Sequence, residues 1–182
     1  MRWESLFEDL EAAFAAEADA GLQSEIAEAE RLERSSVRLA DRLRASQGRT
    51  LRLLLSGGRR LELRVGVVGE DWLSGSHGHY EVLIPLGAVH SAGGLSRAGV
   101  REPSESRRRL SIASPLRALV RDRARVSVEG PGGLLAEGLL MDAGRDAFDV
   151  LPTPAGEIPR RRAAAEAETV PLSAVVLISS GG

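Results

Sequence analysis

The sequence predicts an α+β protein built mainly of antiparallel strands: an N-terminal helical arm followed by two small β-barrels in tandem. Three observations carry this. Residues 2–18 repeat their apolar side chains at helical spacing, and after Gln47-Gly48 the apolar period changes to two. Residues 51–89 are then written a second time, loosely, at 126–175. Gly58, Gly69 and Asp71 recur 75 residues later as Gly133, Gly144 and Asp146, and Pro85-Leu86 recurs as Pro171-Leu172. A repeat this short reads as one small structural unit used twice.

In the arm, Trp3, Leu6, Phe7, Leu10 and Phe14 share one helix face, while Glu4, Glu8, Asp9 and Glu11 occupy the other. Early acids also complement the positive end of the helix dipole. Gly21 interrupts, and a less regular helical stretch over about 23–45 follows. A bend at Ala20-Gly21 and one continuous helix both fit, since Gly costs about 1 kcal/mol within a helix.

The first copy opens with a strand at Leu51, Leu53 and Leu55 and turns at Ser56-Gly57-Gly58. Leu61, Leu63, Val65 and Val67 then alternate with Arg60, Glu62, Arg64 and Gly66, a half-buried strand. Gly69-Glu70-Asp71 turns the chain into Trp72-Leu73. Ser74–Gly78 reads as a polar loop, and Tyr80–Ile84 as a strand that Pro85 ends, for want of an N–H. A turn through Gly87 leads to a short strand at Val89–Ser91. Residues 92–106 form a linker, and a basic helix covers about 111–122, with Ser114 as N-cap and Pro115 in its first turn. Val126 and Val128 reopen the pattern. The second copy is 11 residues longer between its Asp and its Pro, which places an exposed excursion around Pro159–Glu168. A strand over Val170, Leu172, Val175 and Leu177 closes it. The resulting divisions are an acidic arm (1–47), a first barrel (48–95), an Arg-rich linker and helix (96–125) and a second barrel (126–182) with its insertion at about 155–168.

All 24 basic residues are Arg, and the chain has no Lys, Asn or Cys. Codon bias in a GC-rich genome accounts for that most simply. Without Cys there is no disulfide, thiol nucleophile or thiolate metal site. The acidic, amphipathic start is no signal peptide, and no run approaches the roughly 18 apolar residues of a membrane span. A cytoplasmic location is expected. The net charge of −2 hides a gradient: residues 1–33 carry −8, 34–96 carry +4, 97–125 carry +6 and 126–182 carry −4. Such asymmetry marks either a polyanion-binding segment or acidic and basic surfaces that meet each other.

Each copy holds about five short strands behind a helix, a unit that closes into a barrel or pairs with its twin, because open strand edges invite aggregation. The order helix, strand, Gly turn, long strand ending in Gly-x-Asp, strand, loop, strand, short turn, strand resembles the Sm/LSm-like small barrel over roughly 43–91 and 116–178. Other SH3-like barrels share much of that pattern. The resemblance implies single-stranded RNA binding, by a stacking residue beside an Asn in one loop and an Arg-Gly pair in another. This chain has Asp71-Trp72 and Leu86-Gly87 at those places, and Asp146-Ala147-Phe148 and Leu172-Ser173 in the second copy. The family's polar base contacts therefore do not carry over, and Trp72 alone keeps a stacking ring. The competing reading makes Trp72 and Phe148 equivalent core residues, with Asp71 and Asp146 forming strand-end turns through their side chains. The chain is also similar to a poorly characterised family from GC-rich bacteria whose members are sometimes labelled Fis-type regulators. That label implies a C-terminal helix-turn-helix, whereas here an alternating strand runs into Ser179-Ser180-Gly181-Gly182. The label is rejected.

The strongest functional candidates are charged and apolar surfaces. Arg107, Arg108, Arg109, Arg117, Arg121, Arg123 and Arg125 form a basic run suited to phosphate backbone or to an acidic partner. It lacks the interleaved aromatics of single-strand grooves. Trp3, Leu6, Phe7, Leu10 and Phe14 form an apolar face expected to be covered by a partner or another copy. His77, His79 and Glu81 hold metal-ligand atoms at a spacing too common to mark a zinc site. No serine sits in a nucleophile motif, and the paired glycines lack the Lys of a phosphate loop. The sequence thus points to a non-enzymatic adaptor with no cofactor or metal, acting through a protein partner or as a homo-oligomer. The alternative is an RNA- or DNA-associated regulator that uses the Arg-rich linker.

Overall fold

The period-two pattern after Gly48 becomes strands whose buried and exposed residues alternate, as in Thr50–Leu55 and in Arg60–Val68 as far as Val65, after which an irregularity leaves Val67 exposed and Val68 buried. The computed structural model describes residues 23–25, 28, 31, 37–153 and 166–181. The chain divides into two units, Met1–Val37 and Arg38–Gly182. In the first, the described residues Gln23, Ser24, Glu25, Glu28 and Arg31 are helical and exposed. The proposed face of Trp3, Leu6, Phe7, Leu10 and Phe14 lies outside the described residues, as does most of the insertion in the second copy. No described helix is long and apolar enough to cross a membrane.

The second unit is mostly antiparallel sheet with few helices. Helix α1 (Leu39–Arg44) precedes β1 (Thr50–Leu55), β2 (Arg60–Val68), β3 (Trp72–His77), β4 (Tyr80–Pro85) and β5 (Val89–Gly93). Helices α2 (Glu105–Arg108) and α3 (Ala113–Arg121) precede β6 (Arg125–Gly130), β7 (Gly133–Ala143), β8 (Ala147–Pro152), β9 (Glu168–Pro171) and β10 (Leu177–Gly181). All ten strands form one sheet in the order β5-β1-β2-β3-β4-β10-β6-β7-β8-β9. The second five strands follow the same order as the first. Their registers also correspond: Arg52 faces Gly93 as Ser127 faces Ser179, and Leu73 faces Ile84 as Phe148 faces Val170.

The halves join where β4 pairs with β10, with Ile178 opposite Leu83 and Ser180 opposite Glu81. Side chains cross this joint in both directions. The core of the first half, around Leu43, Leu51, Leu63, Leu73 and Ile84, includes Val176 and Leu177 from the second. The core of the second, around Leu116, Val128, Leu140, Phe148 and Ile178, includes Trp72 and Leu83 from the first. Each fully buried aliphatic or aromatic side chain of this size contributes about 1.5–3 kcal/mol, so the two halves are interdependent. Around the joint, Arg59 pairs with Glu129 at 3.4 Å. Gly57 (φ +73°) lies so close to Pro131 that a Cβ would fall 2.2 Å from its carbonyl oxygen.

Several sequence expectations are corrected. The helical stretch over 23–45 does not run through: Arg38 is extended (ψ 154°) and α1 begins at Leu39. Tertiary anchoring of Ala40, Leu43 and Arg44, all buried, sets this helix more than propensity does. Ser74–Gly78 is mostly strand β3 and not a loop; the turn falls after it, at Gly78-His79. The Ser74 hydroxyl accepts from the Val67 N–H (3.2 Å) and lies 3.3 Å from its carbonyl, and Gly75 lets the strand approach β2 closely. The basic helix starts at Ala113, not after Ser114, and a short extra helix, α2, is capped by the Ser104 side chain. The closing strand over Val170–Leu177 is two strands separated by a turn at Leu172–Ala174. Pro171 cannot donate to the ladder, and the Leu172 N–H instead reaches the Asp146 carbonyl at 2.7 Å. Leu86 makes the same bond to Asp71 in the first half, also at 2.7 Å.

Gly75 gives a direct test of this packing. A Cβ there would lie 2.3 Å from the Arg64 carbonyl oxygen, a backbone atom that cannot swing away, whereas Gly132 faces open space. Gly75→Ala is expected to destabilise by about 1–3 kcal/mol and Gly132→Ala to be nearly neutral, as measured by denaturant unfolding.

Candidate interaction surfaces

The Arg-rich linker is fastened to the first half at two places. After β5 the chain returns to α1, where the Arg42 side chain donates to the Ser96 carbonyl (2.8 Å) and the Ser46 hydroxyl accepts from the Ser96 N–H (3.1 Å). The Val100 N–H donates to the Asp41 carbonyl at 2.9 Å. Further on, the linker meets the β2–β3 turn. The Leu110 carbonyl accepts from the Trp72 indole N–H (2.8 Å) and from the Glu70 N–H (3.2 Å). The Asp71 carboxylate accepts from the Ile112 N–H at 2.9 Å, in the residue that caps α3. From the other side, buried Arg44 donates to the Val68 and Gly69 carbonyls and pairs with Asp41 at 2.6 Å. Every polar atom of a buried guanidinium needs such a partner, because leaving it bare costs several kcal/mol.

This geometry revises two expectations. The Asp71 side chain does not close its own turn, which the Gly69 N–H to Trp72 carbonyl bond does at 2.9 Å; it holds the distant linker instead. Trp72 and Phe148 both belong to the second core, but they are not equivalent. Pro85 faces Trp72 as Pro171 faces Ala147, so the partner of Phe148 is Leu73. Trp72 is only 6% exposed, and its N–H is engaged, so its ring is not presented to a base.

Of the seven linker arginines, Arg107, Arg109, Arg117, Arg121 and Arg123 are exposed and Arg108 and Arg125 half-buried. They do not converge on one cleft. Arg117 and Arg121 lie one turn apart on α3 and are exposed, whereas Leu116 and, at the first residue of the helix, Ala113 are buried. Arg109 is paired with Glu105, both well exposed, a contact worth little in water. Arg123 has φ 50° and ends α3, with the Ala124 N–H donating back to the Leu119 carbonyl at 2.9 Å. This left-handed position is a helix stop, which gives Arg123 a local structural role beside its charge.

Two of the histidines make separate contacts. His77 Nδ1 lies 2.8 Å from the Glu62 carbonyl, and His90 Nε2 lies 3.1 Å from the Ser56 hydroxyl. The Ser56–His90 pair was not legible in the sequence, because 34 residues separate its members. It is exposed, and no carboxylate among the described residues orients the imidazole as a nucleophile–base pair requires. No group of three His, Cys, Asp or Glu that could hold a metal ion occurs among the described residues.

The two ends of the sheet are the remaining surfaces, and they differ in charge. Beside β5 lies an open groove of about 580 Å³ lined by Arg52, Leu54, Arg60, Glu62, His77 and Ser91, among others. At the opposite end, Glu168 on β9 is exposed, and the Asp149 carboxylate accepts from the Thr169 hydroxyl at 2.7 Å on the other face.

Removing the Asp71 carboxylate tests the clamp. Asp71→Ala is expected to cost about 1–2 kcal/mol and to speed hydrogen exchange at the Ile112 amide, whereas Asp146→Ala leaves that amide protected. Comparison of the whole chain with protein-family models, curated proteins and solved structures gives no match in any of the three.

Proposed function

We propose that the chain is a non-enzymatic adaptor in which two Sm-like small barrels, fused edge to edge, act through protein–protein contact and self-association. The observation that carries this reading is the open sheet. Ten strands bury their apolar faces in two cores, yet the sheet ends on β5 and β9 without closing among the described residues. An unclosed edge offers a row of backbone donors and acceptors to another chain. The corresponding strand order and register of the two halves support the small-barrel assignment. The polar atoms that Sm-like proteins use toward RNA are lacking, and Trp72 is turned inward.

The second reading, an RNA- or DNA-associated regulator, is favoured by one observation: five of the seven linker arginines are exposed. Phosphate contacts of this kind are insensitive to sequence and fall steeply with salt. No aromatic side chain is interleaved with them from Arg107 to Arg125, which weakens single-strand recognition.

Two measurements separate the readings. Under the adaptor reading, the mass from light scattering rises with protein concentration, and generic single-stranded RNA is not retained even at low salt. Salt-sensitive RNA binding that Arg107→Gln, Arg108→Gln and Arg109→Gln together weaken, regardless of RNA sequence, would establish the alternative.

A further inference from the structure

The groove beside β5 has a lining that the frame of the sheet does not call for. Register puts Gly93, Arg52 and Glu62 in one row across β5, β1 and β2, and Ser91, Leu54 and Arg60 in another. Residues opposite one another in antiparallel strands share a face, and the alternating neighbours Leu53 and Leu61 are buried in the core. The two rows therefore lie on the outward face, where Arg52, Arg60, Glu62 and Ser91 are exposed. The second half repeats the first row as Ser179, Ser127 and Glu137, and it has Leu135 where the 75-residue spacing places Arg60. The acid recurs but neither arginine does, so the same strands form without them.

We propose that this groove binds a small hydroxylated organic acid, its single carboxylate held between Arg52 and Arg60. This goes beyond the adaptor reading and does not depend on it. Arg52 and Glu62 stand opposite one another, yet neither they nor Arg60 form an ion pair among the described residues. A Cβ on Gly93 would meet the Arg52 guanidinium at 3.5 Å, which places that group beside β5 and leaves it open to a ligand. The backbone positions of Arg52 and Arg60 are diagonal neighbours, about 7–8 Å apart, a spacing that long side chains span. Leu54 and Ser91 form the floor between them. An arginine fork matches a carboxylate through two parallel hydrogen bonds.

The charge balance sets the class of anion. Two arginines against the Glu62 carboxylate leave one net positive charge in the lining while His77 is neutral. A single carboxylate matches that. A phosphate dianion would place surplus negative charge beside Glu62, where like charges repel at short range.

The remaining polar lining favours hydroxyl groups on the ligand. His77 Nδ1 lies 2.8 Å from the Glu62 carbonyl, which can only accept, so Nδ1 carries the hydrogen and Nε2 of the neutral ring is left as an acceptor. With the Glu62 carboxylate and the Ser91 hydroxyl, the groove thus presents three acceptors around the arginines. Its volume of about 580 Å³ suits a small molecule. Because the groove is open and its arginines are exposed, binding is weak and salt-sensitive.

Gluconate, which joins one carboxylate to a chain of hydroxyls, is the probe, and gluconamide is its uncharged counterpart. In an amide-resolved NMR titration of the full chain at low salt, gluconate is expected to give saturable shifts at the Arg52, Ser91 and Gly93 amides, with a Kd of about 1 mM. The Ser127 and Glu137 amides should stay in place. Gluconamide should shift nothing, and propionate should bind more weakly for want of hydroxyls. Arg52→Gln and Arg60→Gln should each weaken gluconate about tenfold, and Glu62→Gln should narrow its advantage over propionate. If Arg60→Gln disturbs the spectrum of the free protein, Arg60→Lys, which keeps the charge without the fork, should weaken gluconate by a smaller factor. Shifts that never saturate, equal shifts with gluconamide, or binding unchanged in both arginine variants would overturn the inference. Inorganic phosphate binding more tightly than gluconate would overturn the assignment to a carboxylate. Light scattering on the same samples reads self-association separately, so failure here leaves the adaptor reading standing.

Discussion

The pairing of β4 with β10 is the constraint on which the rest of the second unit depends. It converts two five-strand sets into one ten-strand sheet, and it does so by exchanging side chains, since each core is completed from the other half. Among the described residues neither half closes its own sheet: within each, the outermost strands lie at opposite edges and do not pair. A half taken alone would expose Leu83 and Trp72, or Val176 and Leu177, together with an unpaired strand edge. Such a surface favours aggregation over folding. The halves are thus expected to unfold together, with the joint supplying cooperativity that sequence proximity does not.

The joint in turn sets demands on the linker. The second half must reach back so that β10 lies beside β4, and the connecting segment must not wander while it does so. The anchors on α1 and on the β2–β3 turn shorten the free path between halves. The carboxylate of Asp71, the indole of Trp72 and the guanidinium of Arg44 all converge near that one turn. The Asp71 and Trp72 bonds run to backbone groups of the linker, so they fix chain position without dictating side-chain identity there. That leaves the outer sides of α2 and α3 free to carry arginine.

Much of this was legible in the sequence, for identifiable reasons. Alternation of aliphatics located β1 and β2 because one face of each is buried, but the phase shifts after Val65, where an irregularity in the pairing with β3 exposes Val67 and buries Val68. The Gly-x-Asp and Pro-Leu spacings located equivalent turns because the same backbone bonds, from Leu86 to Asp71 and from Leu172 to Asp146, recur in both halves. What escaped was settled by tertiary contact. Ser74–His77 is polar and glycine-rich yet becomes strand because neighbours on both sides supply its ladder. The start of α3 escaped because its capping carboxylate lies 41 residues away on Asp71, beyond any local motif. The Ser56–His90 contact and the groove at β5 were invisible for the same reason. Composition did show the charge gradient, but not that Arg52 and Glu168 would lie toward opposite ends of one sheet.

The polarity of those ends bears on how such a sheet avoids unlimited growth. If the outer edges carried the Trp, Leu and Val of the inner joint, every chain would display two strongly adhesive surfaces, complementary to each other, and would polymerise as it folded. Replacing them with Ala147, Thr169, His90 and Ser91 removes the apolar component while leaving the backbone row intact. Charge then becomes the main determinant of whether a second strand is accepted. Arg52, next to β5, disfavours a basic segment there, and exposed Glu168 disfavours an acidic one beside β9. An edge filtered this way is neither blunted nor sticky. On the proposed adaptor reading such an edge would select a partner by sign and register, which is what distinguishes an interaction surface from an aggregation site, and the discrimination would rest on a few exposed side chains that can change without disturbing either core.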